Sequence, residues 1–269
     1  MLLLMLYNPQ LLQLACHGSA MDLFQIPLLA LQSVDLPSGA KPNILMLVRW
    51  THITAGILWV GLLYFFNLVN VPFMKELDAA TKGRVVPSLM PKALWWFRWA
   101  SVVTVVAGIY YWMVLVGSEH GANGTPSGRI IGSFFAVWTI AFALEMGVLM
   151  MGKLNGNGWV LAIVFAIIIV AAAWSYLSIN SDVQSNQVLA IGVGGGIGWF
   201  MMFNVWGIIW RMQKKIIQWT QASVAGTPMP PEAAKLSRLV FLASRANFWL
   251  SFPMLFFMNA SQHYIIFGR

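Results

Sequence analysis

"ILMLVRWTHITAGILWVGLLYFFNLVNVP", residues 44–72, contains one arginine, one histidine and no carboxylate. About 20 apolar residues suffice for a helix to cross about 30 Å of hydrocarbon, so this stretch is long enough to span a bilayer. A charged or ionisable side chain inside such a span is costly and needs a reason to be there. Arg49 and His52 therefore mark a candidate site as well as a helix.

Five further segments of the same kind follow, near 93–117, 129–152, 158–179, 187–212 and 238–267. Of the 269 residues, 59% are hydrophobic and 9% charged, where a soluble domain carries about a quarter charged. Lipid must solvate so much apolar surface. Aromatics gather at several segment ends ("LWWFRW", "IYYW", "WSY"), as interfacial belts do. The expected fold is an all-α polytopic membrane bundle of about six transmembrane helices.

Loop charge gives the orientation. Lys75, Lys82, Arg84, Lys92, Lys153, Arg211, Lys214, Lys215, Lys235 and Arg238 fall on one side, and Lys41, Arg129 and Arg269 on the other. Positive-inside then places both termini on the outer, periplasmic side. The net charge of +8 is scattered over segment ends and forms no basic, aromatic-interleaved stripe, so nucleic acid is not an expected partner. The longest connection, about 213–237, carries "AGTPMPPEA" and cannot stay helical throughout.

Residues 1–42 stand apart from the bundle, 43–269. "MLLLMLYNPQLLQLAC" lacks the positive start of a secretory signal, and Pro9, Pro27, Pro37 and Pro42 cut the stretch into pieces too short to span. It reads as an apolar arm lying on the membrane surface or docked against another subunit. Cys16 is the only cysteine, which excludes an internal disulfide, a cysteine zinc site and covalent c-type haem attachment.

Topology pairs His52 with His263. The first helix runs inward and the sixth outward, so both imidazoles sit near the outer face. Two neutral imidazoles at one depth on different helices suit bis-histidine ligation of haem b. Arg49 shares the face of His52 one turn closer to the surface, where a haem propionate needs a cation. The plain alternative is an interhelical hydrogen bond from the histidine and a snorkelling arginine.

A second polar set lies toward the inner face: Arg98, Glu145, Asn204, Arg245 and Asn247. Glu145 should face the bundle and find a partner, with Arg98 and Arg245 the obvious candidates for an ion pair; a proton or quinone site is the sharper reading. "GVGGGIG", 192–198, sits inside a span and lacks a following ribose-binding acid, so it is no nucleotide loop. Its glycines at intervals of four suit close helix packing, or room for a flat macrocycle.

Taken in order, "RWTHITAGILWVGLLYFF" (49–66), "WWFRW" (95–99), "GGIGWFMMFNVWGIIWRMQKKII" (195–217) and "RANFWLSFPMLFFMNASQHY" (245–264) resemble the bacterial urate oxidase N-terminal family over roughly 44–267. The first pattern is also similar to that of the bacterial membrane protoporphyrinogen oxidases. The resemblance implies a helical bundle linked to redox chemistry, in which His52, His263, Asn204 and Asn247 carry over. Full-length urate-oxidising members continue into a cytochrome c domain, and this sequence has no haem c motif up to Arg269. Histidines that the family has near the start of the glycine-rich helix and before the second helix are here Gly192 and part of "KALWW". The family's glycine-rich histidine motif after the first helix is missing as well.

Three functions follow as expectations. The first is a haem b membrane subunit passing electrons within a larger membrane complex. The second is a cofactor-free structural subunit of a respiratory or photosynthetic assembly. The third is a urate or purine oxidase handing electrons to a separate cytochrome c.

Overall fold

The computed structural model describes residues 39–267, and all regular structure within them is helical. From Leu47 onward the chain forms one compact unit. The arm expected over 1–42 lies outside the described residues as far as residue 38. Ala40 already begins the first helix, with Pro42 in its first turn, where a missing backbone N–H costs nothing.

Six helices are long and apolar enough to cross a membrane: α1 (Ala40–Glu76), α2 (Ala79–Asn123), α3 (Ser127–Met151), α4 (Gly158–Ile179), α5 (Asn186–Val224) and α6 (Ala233–His263). Side chains fix several of their starts. Asp78 accepts from the Thr81 N–H at the head of α2, Asn157 from the Trp159 and Val160 N–H groups at α4, and Ser185 from that of Val188 at α5. Each satisfies donors that the first helical turn leaves unpaired.

α5 is the central element. Of its most apolar stretch 72% is buried, against 22–39% in the other five helices. Its glycines explain the position. A Cβ at Gly194 would stand 3.0 Å from the Phe257 Cβ and 3.1 Å from the Met254 carbonyl oxygen, so the α5 and α6 backbones touch there. Gly192 and Gly196 form notches taken up by the Tyr176 ring of α4 and the Trp138 indole of α3. Helix packing, not a macrocycle, occupies these glycine positions.

Two helices run further than hydropathy suggests. α2 begins fourteen residues before the expected 93 and passes through Pro87 and Pro91, and α5 continues to Val224. The two added stretches pack antiparallel, with Val224 against Gly83 and with Met90 and Ile217 buried. The "PMPP" break follows only after α5 ends.

Two short π-helical segments interrupt the spans, Phe65–Asn70 in α1 and Asn204–Ile209 in α5. Such one-turn bulges recur at functional sites. Both carry buried asparagines, Asn67 and Asn70 in the first and Asn204 in the second.

Candidate functional site

His52 is held against α2. Its Nδ1 donates to the Thr104 carbonyl oxygen at 2.7 Å. A carbonyl only accepts, so the proton sits on Nδ1 and Nε2 keeps its lone pair. Gly108 makes the approach possible: a Cβ there would lie 2.7 Å from both Cε1 and Nδ1 of the ring. Anchoring one imidazole nitrogen on a backbone carbonyl is how ligating histidines are oriented.

His263 stands in the last turn of α6 and is exposed, as is Arg49 one turn before His52. α1 and α6 touch lower down. The Ser251 hydroxyl bonds to the Tyr64 hydroxyl at 3.1 Å, and Asn67 Nδ2 donates to the Ser244 Oγ at 3.0 Å. His52 lies twelve residues before Tyr64 and His263 twelve after Ser251. At 1.5 Å per residue each histidine lies about 18 Å along its own helix from that contact. The turn bearing His263 is tied down by Asn186, which donates to the carbonyls of Ala260, Ser261 and Tyr264 and accepts from the N–H groups of Ile266 and Phe267.

The inner polar set divides in two. Glu145, Asn204 and Asn247 meet at the centre, all three at 0% exposure. Asn204 Nδ2 donates to Glu145 Oε1 at 3.1 Å and to Asn247 Oδ1 at 2.9 Å, and Asn247 Nδ2 donates to the Met201 carbonyl at 2.9 Å. The two arginines are elsewhere. Arg98 lies over the Trp210 ring at 3.8 Å, with Trp206 and Trp99 beside it, and Arg245 lies near the rings of Phe241 and Phe248. The expected arginine–glutamate ion pair is therefore not formed. Cation–π attraction holds the guanidiniums instead. Among the described residues the one ion pair is Arg129–Asp182, between the start of α3 and the loop that follows α4.

Asn67, Thr104, Gly108 and Asn186 belong to this framework and were missed by the sequence reading. Asn67 alone had a visible signal, as a polar residue inside "FFNLVN". Among the described residues no three histidines, cysteines or carboxylates group to hold a bare metal ion.

The chain shows no match to any curated protein or to any solved structure. The family model described as urate oxidase N-terminal matches residues 77–268, well over half of the chain. The match begins later than the resemblance read from the sequence. It takes in Arg98, Glu145, Asn204, Arg245, Asn247 and His263, and leaves Arg49 and His52 before it. On that match, this chain belongs to the urate oxidase N-terminal family.

Proposed function

We propose that this protein is a haem b-carrying membrane subunit that passes electrons within a larger assembly of the bacterial inner membrane. The observation that carries the reading is the His52–Thr104 hydrogen bond, which leaves an oriented Nε2 lone pair on α1. His263, on α6, supplies the second imidazole. The donor set fits haem, which needs two neutral imidazoles and no further protein ligand. Arg49 is the cation available to a propionate. When bound, haem would supply a one-electron couple. Within this chain, Thr104 fixes the His52 tautomer, Gly108 admits its ring, and Asn186 holds the His263 turn.

In this reading the histidines face the periplasmic side, by the loop charges, and a separate cytochrome c is a suitable electron partner there. Other membrane subunits and lipid complete the surroundings. The experiment is a pyridine haemochrome spectrum of the purified chain, repeated on His52→Ala and His263→Ala. Haem b is expected in the wild type and is expected to be lost or altered in each variant. A haem-free wild type refutes the proposal and leaves a structural subunit; full retention in both variants shows the ligands to be others.

A further inference from the structure

The Glu145 centre is separate from the histidines. Asn247 and His263 are sixteen residues apart on α6, about 24 Å along the helix. Glu145 lies six residues before Met151, the end of α3, so about 9 Å of helix separates it from the basic face.

Counting hydrogens shows what the centre lacks. Both hydrogens of the Asn204 amide are used, one on Glu145 and one on Asn247. Two acceptors remain with no partner and no exposure, Glu145 Oε2 and Asn204 Oδ1. Buried polar atoms are nearly always paired, so such a pair calls for an explanation. The carboxyl also lacks a countercharge. Arg98 and Arg245 are turned to aromatic rings. Of the other titratable groups on α3 to α6, Tyr176 of α4 fills the Gly192 notch, and Arg129, Arg211, Lys214, Lys215, Lys235, Arg238 and His263 are exposed. A guest that serves two oxygen acceptors and one negative charge is a small cation.

We propose that Glu145 and Asn204 bind one exchangeable monovalent cation, a proton or a sodium ion, between Oε2 and Oδ1. A proton taken from water forms an O–H bond on Oε2 and is given to Asn204 Oδ1 as a hydrogen bond; sodium is held by the same two oxygens. Nothing is oxidised or reduced in either case. Asn204 itself still belongs to the regular helix, its N–H on the Phe200 carbonyl, and the i→i−5 bond, from the Trp210 N–H to the Val205 carbonyl, comes after it.

The test is the melting temperature of the detergent-purified full chain. It is measured in choline chloride over a pH series, then at fixed pH and ionic strength with sodium replacing choline. The wild type is expected to melt about 5–10 °C higher when the site is filled to about a hundred times its dissociation constant. A response to pH alone identifies the proton, and a response to sodium at fixed pH identifies the ion. Glu145→Gln, which carries its own N–H donor and no charge, should show no sodium response and should lose the part of the pH response that Glu145 supplies. A wild type indifferent to both, or a Glu145→Gln variant with the wild-type dependence, overturns the proposal. Should Glu145→Gln fail to fold, infrared difference spectra of the wild type between the same conditions decide. A changing band from an unsolvated carboxyl supports the site, and its absence rejects it.

Discussion

Replacing Gly108 by alanine tests the placement of His52 without touching the histidine. The new methyl would stand 2.7 Å from Cε1 and Nδ1 of the ring. Ordinary contact between carbon atoms begins at about 3.5 Å, so the ring must withdraw by roughly 0.8 Å. Its hydrogen bond to Thr104, now 2.7 Å, would then stretch to about 3.5 Å and cease to count as one. Losing that bond costs about 0.5–1.5 kcal/mol. Alanine in place of glycine inside a helix returns up to about 1 kcal/mol. Global stability should therefore change by less than about 1 kcal/mol while the imidazole loses its anchor. The assay is nitrogen NMR of histidine-labelled protein, tractable because the chain has four histidines. In the wild type His52 should show a single tautomer, protonated at Nδ1 and slow to exchange. Gly108→Ala should give mixed tautomers with fast exchange. Gly61→Ala on α1 is the control, since a Cβ there meets nothing within 4 Å. Unchanged His52 resonances in Gly108→Ala, or a stability gain equal to that of Gly61→Ala, would refute the reasoning.

Three other perturbations have defined outcomes. Gly196→Ala drives a methyl into the Trp138 indole and should destabilise by about 1–3 kcal/mol through overpacking; Trp138→Phe should relieve part of this in the double variant, and additive melting shifts would contradict the contact. Asn67→Ala removes bonds to the Leu63 carbonyl and to Ser244. Interhelical hydrogen bonds in membranes average about 0.6 kcal/mol and reach about 1.7, so the loss should stay within that range while amide exchange over 65–70 accelerates. Arg129 beside Asp182 holds that carboxyl below its ordinary value of 3.8. The pair therefore stabilises the fold above that value and stops doing so as pH falls through the lowered one. Both side chains are exposed, so the melting difference between wild type and Asp182→Asn should be small, constant near neutral pH, and abolished by acid or by high salt.

Hydropathy revealed all six spans because each keeps about 20 apolar residues in a row, a signal that packing does not alter. It failed at the ends of α2 and α5 for the same reason. Residues 79–92 and 213–224 are polar enough to read as loop, and their helices are held by each other at Gly83 and Val224. α2 runs on through Pro87 and Pro91. The positions of His52 and His263 along their helices could be counted from the sequence because the rise of a helix is fixed. The partner of Glu145 could not. Choosing Asn204 over Arg98 depends on which way each helix face points, and that direction leaves no mark in composition.

The π turn of α5 gives the helix two phases. Above Asn204 its small residues lie against α3, α4 and α6; below it, Trp206 and Trp210 are turned to Arg98 on α2. Each residue advances an α-helix by about 100°, and a π turn spends one extra residue on the same rotation, so deleting one position within 204–209 would keep both faces, whereas winding the full sequence as unbroken α-helix would swing everything after it by that angle. The tryptophans would leave Arg98, and the tail ending at Val224 would lose its groove at Gly83. In this chain, then, the spacing between "GVGGGIG" and "WRMQKK" carries information of its own. A sequence lengthened there by one more residue could keep every named side chain and still assemble the wrong two faces.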